Sequence, residues 1–314
     1  MGEESEYRYY SSGKLLITGE YLVLHGGLSL AVPTAAGQHL TVINRKQDDF
    51  LHWTSNVLSK AWFHCILDPG TFNIVETNMP DIAHRLNLLL RAASELKGQS
   101  GWLKGISAFS ELGFDIEWGL GSSSSLISNI ADWAGVDPFR LSGMTSRGSG
   151  YDVAAARANM PILYRKGISG QEIREVRFYP EFSDRLAFLY LGKKQNSSGS
   201  VKTFLDHTVV KEHQIGRISE ISEKLTGPMS LMDYEDLLAE HERILSEILE
   251  KPRVKETFFP DYPGMVKSLG AWGGDFAQIS LRSDLDSTRE YFSNKGFSIV
   301  IPYTEMVKPL PDGQ

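Results

Sequence analysis

Apolar residues follow a strand-like pattern through the first part of the chain. Residues 15–24 and 28–32 are rich in Leu, Ile, Val and Ala, which predicts two buried strands on either side of a glycine turn at His25. Residues 38–44 and 50–54 predict a further pair of strands, separated by a polar turn. The sequence thus predicts two successive strand pairs in this region.

A helical pattern comes next. Apolar residues at helical spacing follow Asp81 and predict a helix that Gly98 ends. Residues 114–118 alternate apolar and acidic side chains, which predicts a half-buried strand. This strand runs into the loop GLGSSSS (119–125), and residues 126–134 return to helical spacing. A strand, a glycine loop and a helix are therefore predicted in immediate succession.

The second half of the chain mixes both patterns. Strands are predicted at 162–164, 173–178, 186–191, 276–281 and 297–301, and longer helices at 207–225 and 231–250. A charged, glycine-containing turn near residues 165–171 could join two domains or two strands of one sheet.

Composition places the chain among ordinary globular proteins. Its 314 residues suffice for one large domain or two average ones, and the 41% hydrophobic and 23% charged residues exclude disordered, collagenous and disulfide-stapled classes. No uncharged apolar run approaches the length of about 18 residues that a membrane helix needs, and the acidic N-terminus is unlike a signal peptide. A cytoplasmic location and no membrane partner are expected, with Cys65 a buried, inert thiol.

Charge limits the class of partner. Lys and Arg number 32 against 39 Asp and Glu, a net charge of −7 with the two signs well mixed. This distribution argues against a nucleic-acid-binding surface. A phosphate ligand would therefore have to be bound by local chemistry.

The loop at residues 119–125 has that chemistry. Glycine allows close backbone approach to a ligand, a helix N-terminus offers unpaired N–H groups, and serine hydroxyls can bind phosphate oxygens or Mg²⁺. The alternative is a serine-rich helix cap, because serine is a preferred N-cap residue. The loop is not a Walker A sequence, a dinucleotide fingerprint or a nucleophile elbow.

Three other glycine segments carry candidate residues, each with an ordinary structural alternative. Asp152 in GSGYD could orient an attacking hydroxyl and accept its proton, or cap the following helix. Lys14 follows Gly13 at the mouth of a strand and could neutralise developing charge, or be a solvated edge charge. The segment LGAWGGD (269–275) could bring bare backbone to a ligand, or be only a tight turn.

In combination, these segments resemble a known family. GKLLITGEYLVLHGG (13–27), GLGSSSS and LGAWGGD resemble the three motifs of the GHMP kinases, in the expected order and over nearly the whole chain. The resemblance implies an α+β, two-lobe GHMP kinase fold. Residues 1–167 would form an ATP-binding N-terminal lobe similar to ribosomal protein S5 domain 2, and residues 168–314 a ferredoxin-like C-terminal lobe.

The same resemblance assigns roles to residues. ATP would bind over Gly119, Gly121, Ser122, Ser123 and Ser124, with Ser123 also a ligand of Mg²⁺. Asp152 matches the catalytic aspartate, and Lys14 the lysine that pairs with it. The residues expected near the substrate are Glu20, His25, Gly150, Lys193, Ser198, Gly273, Gly274 and Asp275. For Lys193 and its neighbours, a solvated loop is the competing interpretation.

The first motif resembles the mevalonate kinase and phosphomevalonate kinase branch, and GSGYDVAAA favours phosphomevalonate as the acceptor over mevalonate. There are departures from mevalonate kinases. Only 31 positions separate Gly121 from Asp152, no equivalent of the second, glutamate magnesium ligand is found, and Trp118 and Trp272 replace small residues. The expected partner is a small molecule, and the expected state is a monomer or homodimer.

Other functions stay open at this point. A degenerate GHMP-like protein could bind nucleotide in a regulatory role without turnover, and an enzyme similar to mevalonate diphosphate decarboxylase would release carbon dioxide together with ADP. A purely structural protein would show no nucleotide-dependent stabilisation.

Overall fold

Strands and helices are both present throughout the chain in the computed structural model, which describes residues 5–45, 48–99, 101–146, 148–167, 170–192 and 197–311. At residues 197, 198 and 207 only the backbone is described. No helix in the described ranges is both long and apolar enough to cross a membrane.

The strands are, in chain order, β1 (Ser5–Thr18), β2 (Ser29–Asn44), β3 (Leu51–Val57), β4 (Lys60–Leu67), β5 (Ile74–Thr77), β6 (Ile106–Leu112), β7 (Ile162–Lys166), β8 (Gln171–Glu175), β9 (Leu186–Tyr190), β10 (Val266–Ser268), β11 (Phe276–Ser280) and β12 (Val300–Pro302).

The helices are α1 (Pro80–Lys97), α2 (Ser122–Ala134), α3 (Pro138–Thr145), α4 (Tyr151–Arg157), α5 (Ser197–His207), α6 (Glu212–Lys224), α7 (Leu231–Leu249), α8 (Val254–Phe258), α9 (Leu285–Asn294) and α10 (Tyr303–Met306). Short 3₁₀ turns lie at Leu22–His25, Ile116–Trp118 and Ser183–Arg185.

The chain forms two compact units. The first comprises residues 1–13, 36–116 and 121–157, and the second residues 14–35, 117–120 and 158–314. Strands β1 and β2 each contribute residues to both units. These units do not coincide with the expected lobes of residues 1–167 and 168–314, and the lobe boundary stays a prediction.

The first unit is built on a mixed sheet. Its strands run in the order β5–β4–β3–β6–β2, with β3 parallel to β6 and the other neighbours antiparallel. Buried apolar side chains from this sheet and from α1 and α2 form one core, which includes Trp53, Phe63, Leu90, Ala108 and Ile130. Burial of such side chains is the main stabilising contribution to a core of this kind.

The second unit holds an antiparallel sheet in the order β10–β11–β9–β12. Its core includes Leu189, Phe259, Val266, Ile279 and Phe292. In the same unit β7 pairs with β8 and with residues 29–31 of β2, and α7 packs against both α6 and β10.

The predicted strand over residues 15–24 is wrong in its second half. Strand β1 ends at Thr18, Gly19 follows with a φ of 90°, and the 3₁₀ turn begins at Leu22. A Cβ at Gly19 would lie 2.5 Å from the Cβ of Ser29, so the backbone turns where only glycine fits. The apolar run here is buried, but in a turn and not in a strand.

The predicted strands at residues 38–44 and 50–54 are confirmed within β2 and β3, but the two strands are not neighbours in the sheet. Residues 38–44 are the end of the long strand β2, and they pair antiparallel with β6. Strand β3 pairs parallel with the other edge of β6, so β6 lies between β2 and β3. An apolar pattern indicates which face of a strand is buried, but it does not indicate its neighbour.

The predicted strand at residues 114–118 is a third correction. Strand β6 ends at Leu112, and Ile116–Trp118 is a 3₁₀ turn. The alternation has another cause, since Phe114 is buried in a loop and the Trp118 ring packs at 5.8 Å against Phe276. The glycine loop therefore follows a 3₁₀ turn.

Several helix predictions are confirmed. Helix α1 ends at Gly98, which has a φ of 63°, and α2 and α7 lie where the periodicity places them. The predicted helix at 207–225 is shorter and begins at Glu212. Cys65 is buried, as expected, and burial raises the pKa of its thiol to about 11.

Candidate active site

Helix α2 begins directly after a turn with two left-handed glycines. Gly119 has a φ of 66° and Gly121 a φ of 87°, in a region that glycine enters without steric cost. The first helical hydrogen bond is donated by the N–H of Ser125 to the carbonyl of Gly121, at 3.0 Å. The amides of Ser122–Ser124 precede it and have no intrahelical acceptor. Together with the helix dipole, they can bind an anion.

The serine hydroxyls of this turn differ in their accessibility. Ser123 is exposed and Ser122 is half-buried. Ser124 is buried, and its Oγ donates to the carbonyl of Gly121 at 2.8 Å. A ligand at this helix end can therefore meet the hydroxyls of Ser122 and Ser123, whereas the predicted contact with Ser124 is limited to its backbone amide.

Buried polar side chains fix the inner face of α2. Ser125 Oγ donates to Gln38 Oε1 at 2.7 Å, and Asn129 Nδ2 donates to the carbonyl of Gln38 at 2.9 Å. Gln38 Nε2 donates to Ser110 Oγ at 2.7 Å, and Ser11 Oγ lies 2.8 Å from Asn129 Oδ1. These bonds join α2 to β1, β2 and β6, which fixes where its first turn lies in the first unit.

Asp152 lies in the first turn of α4. The helix begins after Gly150, which has a φ of 91° and whose carbonyl accepts from the N–H of Ala154 at 3.0 Å. Asp152 is half-buried, and its Oδ1 accepts from the N–H of Val153 at 3.0 Å. Asp152 is thus within the helix and is not its N-cap, which corrects the alternative interpretation of this residue.

Helices α2 and α4 pack together within the first unit. Arg157 at the end of α4 donates to Ser128 Oγ at 3.1 Å and forms an ion pair with Asp132 at 2.8 Å. The helix that carries the serine turn and the helix that carries Asp152 are therefore held against each other.

Lys14 lies in the part of β1 that belongs to the second unit. Its Nζ donates to the carbonyl of Gly119 at 3.0 Å, and its backbone N–H donates to the carbonyl of Leu120 at 2.8 Å. Both the backbone and the side chain of Lys14 are thereby fixed on the glycine loop. The lysine is not a solvated edge charge.

Asp275 contacts the same loop. The residue is 7% exposed and has a left-handed φ of 44°. A Cβ on Gly119 would collide with its carboxylate, so this carboxylate lies against the α-carbon of Gly119. The second unit therefore brings Lys14, Gly119 and Asp275 together, and it places a carboxylate next to the loop.

The segment from Leu269 to Asp275 is a tight turn. Gly273 has a φ of 72°, and the N–H of Gly274 donates to the carbonyl three residues earlier at 3.1 Å. The Trp272 N–H donates to Tyr21 Oη at 3.1 Å, and its ring Nε1 donates to the carbonyl of Pro252 at 3.1 Å. The turn is thus hydrogen-bonded to Tyr21, which belongs to the motif at residues 13–27.

Glu20 is buried in an ion pair. Its carboxylate contacts Lys267 Nζ and lies 3.2 Å from His241 Nε2, and only 3% of its side chain is exposed. Burial is the largest single influence and raises the pKa of Glu20, but the charges and hydrogen bonds of Lys267 and His241 together hold the pKa below its usual value. Such burial disfavours the predicted direct contact of Glu20 with a substrate.

The remaining predicted substrate residues are only partly described. His25 is exposed, and its ring lies 5.6 Å from that of Phe204. Ser198 is in α5, but its side chain is outside the described atoms, and Lys193 is outside the described residues. Their roles stay predictions.

The chain is similar to known proteins at the level of structure. No family model and no curated protein sequence matches the chain. Among solved structures, L. major mevalonate kinase in complex with R-mevalonate matches with a TM-score of 0.64 and 15% identity, covering 93% of this chain and 91% of that one. The Streptococcus pneumoniae phosphomevalonate kinase, in complex with phosphomevalonate and AMPPNP, matches with a TM-score of 0.65, 19% identity and coverages of 93% and 97%. Lactococcus lactis galactokinase complexed with galactose matches with a TM-score of 0.62 and 12% identity, covering 97% of this chain and 95% of that one.

The chain has the GHMP kinase fold. This confirms the fold class expected from the three motifs. The similarity in sequence is low throughout, so these matches establish the architecture of the chain and leave its activity as a proposal.

Metal ligands in this GHMP kinase fold are sparse. Among the residues whose placement is described, no group of three or more His, Cys, Asp or Glu side chains is arranged to hold a metal ion. The exposed hydroxyl of Ser123 is an oxygen donor of the type that Mg²⁺ accepts, and Mg²⁺ commonly completes its coordination with phosphate oxygens and water. The hydroxyl of Ser123 could therefore contribute one ligand to Mg²⁺ that is bound together with nucleotide phosphates.

The sequence pattern did not indicate that Lys267 and His241, which contact the Glu20 carboxylate, are buried beside it. Lys267 lies in the buried strand β10, and His241 lies in the amphipathic helix α7. A lysine two positions before an apolar glycine motif was the available signal for Lys267. His241 is followed by Glu242 and Arg243, a pattern typical of a solvated helix face, so nothing marked it as buried.

Proposed function

We propose that this chain is an ATP-dependent small-molecule kinase. The observation that carries the proposal is the first turn of α2, where two left-handed glycines lead into three amides without intrahelical acceptors and an exposed Ser123 hydroxyl. This is an anion-binding arrangement in a fold shared with solved kinases, one of them in complex with AMPPNP. The β- and γ-phosphates of ATP are the proposed ligands.

The reaction needs positioning and charge neutralisation more than covalent chemistry. An acceptor oxygen forms a bond to the γ-phosphorus while the bond from this phosphorus to the β–γ bridging oxygen breaks, and ADP leaves. Asp152 would orient the acceptor and take its proton where the acceptor is a hydroxyl. Lys14 would offset negative charge that develops near Gly119, whose carbonyl it already contacts.

Magnesium bound with ATP would neutralise phosphate charge. Ser123 is the proposed protein ligand, because its hydroxyl is exposed at the helix end. The carboxylate of Asp275 against Gly119 would repel a bare phosphate, which makes the positive charges of Lys14 and of the metal necessary there.

The proposed acceptor is 5-phosphomevalonate, with mevalonate as the second choice. The support is the resemblance of the first motif and of GSGYDVAAA to that branch, together with the structural similarity to kinases solved with these two compounds. Galactokinase shares the fold as well, so sugars belong in any screen.

The test is an ADP-release assay over phosphomevalonate, mevalonate, homoserine and several sugars, with the Asp152→Asn variant beside the wild type. Asp152→Asn should keep ATP affinity within about twofold, because its carboxylate is assigned to the acceptor, and should lower kcat by about 10²–10⁴. Asp184→Asn is the matched control, an exposed aspartate in another turn, and should keep full turnover. Unchanged turnover in Asp152→Asn contradicts its catalytic role.

One observation favours a second candidate, a nucleotide-binding protein without turnover. The buried Asp275 carboxylate lies against Gly119 and so adds negative charge to the glycine loop that is proposed to bind ATP. In that case ATP raises the melting temperature, yet no acceptor in the screen yields ADP. Release of carbon dioxide with ADP would instead indicate a decarboxylase, an activity named for another neighbour of the same fold.

A further inference from the structure

Three pairs of consecutive residues meet in the interior of the second unit. They are Gly19–Glu20 after β1, His241–Glu242 on α7, and Lys267–Ser268 at the end of β10. All six residues are buried. The first pair begins the first glycine segment (residues 19–27), and the third directly precedes the last glycine segment (residues 269–275).

The inner face of α7 is unusual at this point. The buried apolar side chains of this face follow helical spacing and include Tyr234, Leu238 and Leu245. Between Leu238 and Leu245, the buried residues His241 and Glu242 are polar. Burying polar side chains is unfavourable unless they are hydrogen-bonded. The contacts of these two residues therefore explain why apolar residues do not occupy the position.

His241 contacts the first glycine segment. Its Nε2 accepts from the N–H of Gly19 at 3.0 Å and lies 3.2 Å from Glu20 Oε2. Burial, reinforced by the nearby positive charge of Lys267, lowers the pKa of His241, which favours the neutral ring that can act as this acceptor. Nε2 either accepts from Gly19 or donates to Glu20, and both residues belong to the same turn. In either form, His241 holds this turn on α7.

Glu242 contacts the last glycine segment. Its Oε1 accepts from the N–H of Ser268 at 2.6 Å, directly before Leu269. Lys267 connects the third pair to the first, because its Nζ donates to the Glu20 carboxylate. The same Nζ also donates to the carbonyl of Ser268, at 2.7 Å. Each of the three pairs therefore contacts both of the others.

We propose that His241 and Glu242 are positioning residues that hold the two glycine segments, residues 19–27 and 269–275, in one fixed arrangement. The segments also touch directly, because the Trp272 N–H donates to Tyr21 Oη. Asp275 at the end of the last segment contacts Gly119, so the arrangement extends to the carboxylate beside the glycine loop. In its kinetic consequences, this inference rests on the proposed kinase function.

The first test measures backbone hydrogen exchange by mass spectrometry in the full-length protein. Glu242→Leu removes the acceptor of the Ser268 N–H and should speed exchange about tenfold in both glycine segments, because each loses its common support. His241→Leu is an independent variant that removes the acceptor of the Gly19 N–H. It should speed exchange in residues 269–275 as well as in 19–27.

Tyr234→Phe is the matched control. Tyr234 is buried on the same helix face, and its hydroxyl donates to Gln278 Oε1 at 2.8 Å and not to a residue of either glycine segment. Its loss should lower stability without changing exchange in either segment. Changes confined to the segment that each variant contacts would overturn the proposal, as would equal changes in Tyr234→Phe.

The second test uses kinetics and a conservative replacement. Glu242→Gln keeps an oxygen acceptor for Ser268 and should retain most of the turnover, whereas Glu242→Leu should lower kcat about tenfold or more. Equal losses in both variants would contradict a positioning role. If no acceptor supports turnover, the proposed function fails, but hydrogen exchange still decides whether His241 and Glu242 connect the two segments.

Discussion

At Gly119, two independent requirements exclude a side chain. The φ of 66° is left-handed, and the space that a Cβ would fill is occupied by the carboxylate of Asp275. The carbonyl of the same residue accepts from Lys14 Nζ. Gly119 thus combines a left-handed backbone, a contact with a lysine and a contact with a carboxylate at one point of the loop.

Gly119→Ala should destabilise the protein more than Gly135→Ala. Both glycines have a similar left-handed φ, 66° and 69°, which costs alanine about 1–2 kcal/mol, but a Cβ at Gly135 would meet no other atom within 4 Å. Chemical denaturation of both variants measures the difference. Equal losses would contradict the close approach of Asp275.

Glu242 should make stability depend on pH. Burial raises its pKa from 4.5 to about 7. Between these values the folded protein keeps a proton that the unfolded chain has released, so this group lowers stability as the pH rises from 4.5 to 7, by about 3 kcal/mol in total. The comparison of wild type with Glu242→Gln isolates this contribution.

The comparison is needed because the neighbouring groups act in the opposite direction. Glu20 and His241 have lowered pKa values, so their contributions to stability are lost as the pH falls. Urea denaturation at pH 5 and pH 7 should show Glu242→Gln gaining stability relative to wild type at the higher pH. Glu247→Gln, an exposed position on the same helix, should show no such gain.

Part of the candidate site could be predicted from the sequence. Lys14, Gly119 and Asp275 stand in recognisable glycine motifs, and the structure brings them together. His241 and Lys267 could not be predicted, since their burial depends on contacts between residues more than 200 positions apart. Periodicity reports which face of a helix is apolar and does not report a buried ion pair.

At the scale of elements, helices could be predicted where the apolar spacing and the terminal glycine lie within the helix's own stretch of sequence. Helices α1 and α2 each present an apolar face and end at a glycine in the left-handed region. Pairing of strands was not predictable in the same way. Strand β6 inserts between β2 and β3 from a distant part of the sequence, and no local pattern encodes that neighbour.

Substitutions on the two faces of helix α2 should have different effects, on stability at the buried Ser125 and on nucleotide binding at the exposed Ser123. Ser125→Ala leaves Gln38 Oε1 without the hydroxyl donor at 2.7 Å and should lower the unfolding free energy by about 1–3 kcal/mol. Ser123→Ala changes an exposed side chain and should leave stability within about 0.5 kcal/mol while weakening ATP binding in the presence of Mg²⁺.

Denaturation and calorimetric titration of the two variants check this separation. A loss of stability in Ser123→Ala, or an ATP affinity that Ser123→Ala does not change, would remove Ser123 from the proposed phosphate site.

At the scale of the whole molecule, the net charge of −7 limits partners less than it first suggests. It disfavours a broad nucleic-acid-binding surface. It does not disfavour a triphosphate, because amides at a helix N-terminus, such as those at the start of α2, can bind an anion without any formal charge. An acidic chain and a nucleotide ligand are therefore compatible.

Binding of ATP should be visible in global stability whether or not turnover occurs. A ligand at a hundredfold its dissociation constant adds about 2.7 kcal/mol to the free energy of unfolding. Thermal unfolding with ATP and Mg²⁺, compared with buffer alone, measures this effect. No shift at any ATP concentration would contradict nucleotide binding by the GHMP kinase fold of this chain.

The central claim is transfer of the γ-phosphate to a small acceptor of the mevalonate type. The most direct measurement is ³¹P NMR of the protein with ATP, Mg²⁺ and 5-phosphomevalonate, with mevalonate in a parallel sample. We expect the ATP γ-phosphorus signal to disappear and a new phosphorylated product to appear in step with ADP, and both changes to be lost in Asp152→Asn. ATP that stays intact with every acceptor, or that yields only inorganic phosphate, would contradict this claim.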